Sequence, residues 1–191
     1  MRKILSQEEK SKKEKRNQLV IGAVLVLIMV LSTLGYSFIG SEDEEVNFDA
    51  VYYKEFKFIK TNGIWKIDLY GKELYFSNFP NQTDVQGEVN LLNKYQNFPL
   101  YIYSNNSAVD LEIYRTIGRF VQRMQNACPE NKTCEQDLPT KTCENNFIIV
   151  EESEATEIIQ KNKCVFVKAK KDDLLRITDE FLFNVFSIKS Q

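Results

Sequence analysis

From Leu19 to Ile39 the chain runs 21 residues without a charge, LVIGAVLVLIMVLSTLGYSFI. At about 1.5 Å per residue this predicts a helix as long as a hydrocarbon core is thick. Beyond it the period changes to two. Phe56 to Lys60 and Ile64 to Leu69 read as strands joined at Asn62-Gly63, a pair that tolerates the positive φ of a tight hairpin. Trp65, Ile67 and Leu69 alternate with Lys66 and Asp68, and Tyr70-Gly71-Lys72 turns into Glu73 to Phe76. These segments predict a three-stranded meander, with Trp65 in the core.

Residues 84–96 suggest a short helix around Val89 to Leu92, weakened by Gly87, and Phe98 to Tyr103 reads as a strand. Ser107 opens a helix whose Leu111, Tyr114, Ile117, Val121 and Met124 recur every three or four residues, which predicts a core face. Phe147 to Val150 is a continuous apolar run suited to a central strand, and Cys164 to Lys168 is another strand. Leu174, Ile177, Phe181, Val185 and Ile188 then line one side of a last helix, widened by Leu175, Leu182 and Phe186. The expected fold class is an α+β ectodomain, a β-meander followed by strand-helix-strand-strand-helix, behind one N-terminal transmembrane helix.

Charge gives this order a direction. Residues 1–18 hold seven Lys and Arg against three Glu, a surplus of four positive charges. Glu42, Asp43, Glu44 and Glu45 follow the apolar run. The positive-inside rule then makes 1–18 a cytoplasmic tail, 19–39 the span, 40–50 an acidic linker and 51–191 an extracytoplasmic domain. A basic start also fits a secretory signal, but the run is long for one and no Ala-x-Ala site follows, so an uncleaved signal anchor is expected. Ser6-Gln7-Glu8-Glu9 reads as a capping box that would start a helix in the tail, and the tail lysines could also touch anionic lipid. The whole chain carries net charge −2, which leaves −6 outside the tail. An acidic domain has no electrostatic reason to bind nucleic acid. The chain has no histidine, which removes His-based triads and His metal ligands.

All four cysteines, Cys128, Cys134, Cys143 and Cys164, lie in the extracytoplasmic segment, where an oxidising medium pairs thiols. Of three connectivities the spacing favours Cys128–Cys134 and Cys143–Cys164. A four-thiolate zinc site wants two close C-x2-C pairs, and a redox dithiol wants C-x-x-C; the sequence supplies neither. No cofactor is expected. Arg115, Arg119 and Arg123 are spaced by four on the predicted helix. They form a candidate stripe for an anion or partner, against the plainer reading of a solvated face. Glu151, Glu152 and Glu154 could do acid–base chemistry only if one were buried with a raised pKa. Asn81, Asn105 and Asn131 each begin an N-x-S/T sequon, which makes them candidate glycosylation sites. There is no Walker loop, G-x-G-x-x-G, nucleophile elbow or EF-hand loop.

Phe56-x-Phe58 leading to Gly63-Ile64-Trp65, the phrase Leu74-Tyr75-Phe76-Ser77-Asn78-Phe79-Pro80, and the Cys164 strand followed by a terminal helix carry a resemblance over most of residues 50–188. In these features the chain resembles small uncharacterised exported proteins of prokaryotes, archaeal ones in particular. The resemblance implies an anchored exported domain and no activity. The expected function is non-enzymatic: a single-pass surface protein that binds a partner or supports a membrane-associated assembly. Its partners would be the lipid bilayer and another membrane or surface protein. Two alternatives compete. One is a type IV pilin-like subunit, although Arg16-Asn17-Gln18-Leu19 lacks the small residue expected before a pilin-type cleavage. The other is an enzyme with an unfamiliar carboxylate site.

Overall fold

The computed structural model describes residues 7–39, 50–82, 85, 87–134 and 137–189, in two units, Met1–Asn47 and Phe48–Gln191. The described residues of the first unit form one helix, α1 (Gln7–Ile39). Every described side chain of its Lys15–Ser32 stretch is exposed, and the helix is long and apolar enough to cross a membrane. From Gln7 the described part of the tail and the apolar run form one continuous helix; the Ser6 of the expected capping box lies outside the described residues.

The second unit is mixed α+β. Strands β1 (Ala50–Tyr53), β2 (Phe56–Thr61), β3 (Ile64–Leu69) and β4 (Lys72–Phe76) form an antiparallel meander in chain order. The Asn62-Gly63 and Tyr70-Gly71 turns place both of their residues at positive φ, 50° and 81°, then 52° and 70°. That geometry matches the twist of a tight hairpin, and glycine adopts it without strain. The meander has one strand more than the sequence pattern predicts. Strand β1 has almost no buried side chain, so no alternation marks it and only backbone pairing to β2 defines it.

The second sheet is mostly parallel. It contains β5 (Pro99–Tyr103), β6 (Arg123–Asn126), β9 (Asn146–Glu152), β10 (Glu157–Lys161) and β11 (Cys164–Ala169), in the order β10-β11-β9-β5-β6. Only β10 runs antiparallel to its neighbour. A small ladder, β7 (Cys128–Pro129) with β8 (Thr140–Lys141), lies in the cysteine loop. Strand β9 is central and buried on both faces, Ile148 and Val150 in the main core and Phe147 and Ile149 in a smaller one, which is why its apolar run is continuous. Strands β6 and β10 carry largely polar, exposed residues and escape a hydrophobic reading.

Helices α2 (Ser107–Thr116) and α3 (Leu174–Val185) pack on each other; α2 also meets β4, and α3 meets β9 and β11. Phe58 and Phe76 from the meander, Phe181 and Phe183 from α3, and Val165 and Val167 from the mixed sheet share the main core. The expected face of α3 is buried as predicted.

The expected face of the helix at Ser107 holds only in part: beyond the end of α2, Ile117 is buried and Val121 and Met124 pack against the core, but the two positions on α2 itself face out. Leu111 and Tyr114 are 62% and 40% exposed, and the buried positions are Val109, Glu112, Ile113, Thr116 and Ile117. The cap also shifts: the Asn106 side chain, rather than Ser107, accepts from Ala108 N at 3.0 Å. Nor does a regular helix form before β5. A 3-10 turn at Leu92–Lys94 takes its place, because the preceding loop runs so close over β10 that a Cβ on Gly87 would lie 2.5 Å from the Ile158 carbonyl.

Candidate functional site

The parallel strands determine where a ligand would meet this fold. From β5 the chain leaves through α2 toward β6, whereas from neighbouring β9 it leaves in the other direction, toward β10 and β11. Such a switch in an open parallel sheet leaves a crevice beyond the carboxyl ends of the strands. A cleft of about 530 Å³ lies beside it, beyond the ends of β5 and β6, with Tyr103, Ser104, Asn105, Asp110, Asn126 and Thr133 in its wall. A second hollow of about 360 Å³ adjoins the end of β9. In it Lys132 pairs with Glu151 at 2.5 Å and sits 5.0 Å over the Tyr103 ring.

The chemistry of the main cleft is hydroxyl and amide around one acid. Burial pushes the Asp110 carboxyl up, and Ser104 opposes the shift through a hydrogen bond. The N-terminus of α2 opens beside the cleft, but Asn106 already caps two of its N–H groups and Asp110 offsets its dipole. The arrangement therefore favours neutral hydrogen-bonding groups or a cation over phosphate. At the opposite end of the sheet a cleft of about 650 Å³ is rich in amides, with Asn90, Asn93, Asn145 and Asn162 beside the exposed Phe98.

The cysteines pair as Cys128–Cys134 and Cys143–Cys164, with S–S distances of 1.97 and 2.10 Å. The first staples the loop that walls the main cleft. The second ties the segment before β9 to the first residue of β11, across two adjacent parallel strands. With all four sulfurs in disulfides, no thiolate is left for a metal.

The arginine stripe does not form, because α2 ends at Thr116. Arg115 is on the helix, Arg119 in the 3-10 turn that follows and Arg123 at the start of β6. Each turns to its own partner: Arg115 to Glu112 and Ser77, Arg119 to the Glu73 carbonyl and Arg123 to the Tyr101 hydroxyl. A spacing of four aligns side chains only while the helix continues. Glu151, Glu152 and Glu154 likewise build no acid–base pair. Glu151 is tied to Lys132, Glu152 is exposed, and Glu154 is exposed and meets Lys170. Asn81, Asn105 and Asn131 are all exposed, Asn105 on the cleft wall; Thr83 of the first sequon lies outside the described residues. Trp65 is half-buried, its ring 4.7 Å from that of Phe79 and capped by Lys60 at 5.2 Å.

The buried acids are elsewhere, and the sequence pattern does not announce them. Glu112, Asp179 and Glu180 are each at most 2% exposed. Ser77 N and Oγ donate to Glu112 at 3.1 and 2.7 Å, and Arg115 adds a contact at 2.5 Å. Asn78 donates twice to Asp179 Oδ2, each at 2.8 Å, and Lys189 holds Glu180 at 2.7 Å. The available signal is that Asp179 and Glu180 precede the run Phe181-Leu182-Phe183, which leaves α3 no polar side for them. No family model, no curated protein and no solved structure matches this chain.

Proposed function

We propose that this chain is a single-pass membrane protein, with its basic N-terminal tail in the cytoplasm and its α+β domain outside. That domain binds a partner rather than performing chemistry. The observation that carries the reading is α1: an apolar stretch from Leu19 onward whose described side chains are all uncovered. Exposed apolar surface of this extent needs lipid around it. The charge asymmetry sets the direction, and two disulfides suit an oxidising exterior. Tethered this way, the domain offers the cleft beyond β5 and β6 to a neighbour with hydrogen-bonding or cationic groups. The bilayer and a membrane or surface protein are its partners, and an acidic domain leaves nucleic acid out.

The continuous helix from Gln7 to Ile39 also gives the pilin-like reading a physical footing, since a long apolar stem is what such a subunit polymerises through. N-terminal sequencing of the mature protein separates the two: an intact start supports the anchor, and loss of about sixteen residues supports the pilin-like subunit. The anchored reading itself is tested on intact cells with a tag at each end. External protease should remove the C-terminal tag and spare the N-terminal one. Alkaline carbonate should leave the chain in the membrane pellet, and a thiol reagent should label it only after reduction. Recovery of full-length chain in the soluble fraction with four reactive thiols would overturn the proposal.

A further inference from the structure

Glu112 on α2 and Asp179 on α3 are carboxyls 2% and 0% exposed, on two helices that pack together, and they take their donors from the adjacent residues Ser77 and Asn78. Their donors are unevenly spread. Glu112 has three: Ser77 N, Ser77 Oγ and Arg115 Nη2. Asp179 has two, both from Asn78 and both on Oδ2. Asp179 Oδ1 is buried and accepts from nothing. A buried acceptor without a donor is costly, and so are two neighbouring buried carboxylates of which only Glu112 bonds a guanidinium. One proton on Asp179 Oδ1, donated to Glu112, removes both costs. Asp179 is the acid that keeps it, because Arg115 stabilises the charge on Glu112.

We propose that Glu112 and Asp179 hold one proton between them and act as a pH latch. With the proton they tie α2 to α3 across the strand end at Ser77-Asn78; without it they push the helices apart.

Among the described residues, the surroundings offer no second cation to the pair. On α3, Glu180 is bound to Lys189, and Arg176 is held by Asp173 and the Gln82 carbonyl. From β4 and its end come the Tyr75 carbonyl, taken by Thr116, and the neutral Ser77 and Asn78. On the mixed sheet Glu151 meets Lys132 and Lys168 meets Glu157, and Glu152 is exposed. Burial first, then the Glu112 charge and hydrogen bond, raise the Asp179 carboxyl well above the carboxylate range, against the two bonds from Asn78. A carboxyl raised by folding contributes stability that is complete below its unfolded value, about 3.9, and is lost as pH climbs through the folded value. Neither acid reaches solvent, so the pair is a structural device and not a catalytic dyad.

The test uses the full chain in detergent micelles with its disulfides intact. The wild-type melting temperature should fall by several degrees as pH rises from about 5 to about 9. Asp179→Asn places an amide N–H where the proton sits and should flatten that slope, with a higher melting temperature at the alkaline end. Infrared spectra at neutral pH should show a protonated-carboxyl carbonyl band that disappears in Asp179→Asn and in Glu112→Gln. Equal pH slopes in wild type and Asp179→Asn would overturn the latch. So would a neutral-pH spectrum without the band, or one in which Glu112→Gln leaves it unchanged. Should Asp179→Asn fail to fold, the wild-type and Glu112→Gln spectra decide alone.

Discussion

Helices α2 and α3 lie against each other in one core, yet they solve opposite problems. Helix α3 is held between the meander and the mixed sheet and is buried almost all round, acids included. Helix α2 is at the rim, with Val109, Ile113 and Ile117 inward and Leu111 and Tyr114 outward. On α3 the apolar pattern gives the right face, because the positions it picks out are the ones the neighbouring elements cover. On α2 it gives the wrong face, because two inward positions, Glu112 and Thr116, are polar. Each is satisfied inside, Glu112 by Ser77 and Arg115, and Thr116 by donating to the Tyr75 and Glu112 carbonyls. Hydrophobic periodicity misplaces a helix face where inward polar positions interrupt the cues that mark it, as on α2.

The largest effect should come from α3. The Phe183 ring lies 4.6 Å from Phe76 and 6.4 Å from Phe58. Phe183→Ala opens a cavity between the helix and the meander and should cost about 3–5 kcal/mol. A loss of that size can unfold a domain whose whole stability is about 5–15 kcal/mol, so Phe183→Leu serves as the graded variant. Urea midpoints read both. Equal midpoints for wild type and Phe183→Ala would remove α3 from the centre of the core.

On α2 the informative experiment is a pair. Ile113 is fully buried and Leu111 largely exposed. Ile113→Ala should cost about 2–5 kcal/mol, and Leu111→Ala should stay within about 0.5 kcal/mol of wild type. The reverse order would restore the face that the spacing of Leu111, Tyr114 and Val121 suggests, and with it a longer helix carrying the arginines in line.

How far the sequence can be read follows the same division. The meander hairpins, the central strand β9, α3 and the cysteine pairing are legible because each is marked by a strong local signal. Those signals are a turn that wants positive φ, a two-sided apolar run, a helix with one broad apolar side and a spacing that closes short loops. Strands β1, β6 and β10 are not legible, since each is held by a neighbour's backbone and shows little alternation of its own. The arginines illustrate the cost of one wrong boundary: with the helix ending at Thr116, Arg119 and Arg123 belong to other elements. The cleft and the buried acids are tertiary facts. Asp110 and Asn126 share a cleft wall only because α2 leaves the end of β5 beside its parallel neighbour β6, and Glu112 comes near Asp179 only because the two helices pack together.

The smallest effect contrasts how the two helices begin. Helix α2 has a side-chain cap, with Asn106 accepting from Ala108 N at 3.0 Å and reaching Val109 N at 3.4 Å. Helix α3 emerges from a 3-10 turn at Lys171–Asp173, and its first residues are capped by no side chain. Asn106→Ala should therefore cost about 1 kcal/mol. Asp173→Ala loses only the contact to Arg176, a pair more than one-third exposed on both sides; solvent screening holds its worth to a few tenths of a kcal/mol, on the order of an exposed helix pair. Chemical-denaturation midpoints of the two variants at matched ionic strength measure the contrast. If Asp173→Ala proves the costlier, α3 depends on its first turn, and the two sheets that enclose it are not what holds it in place.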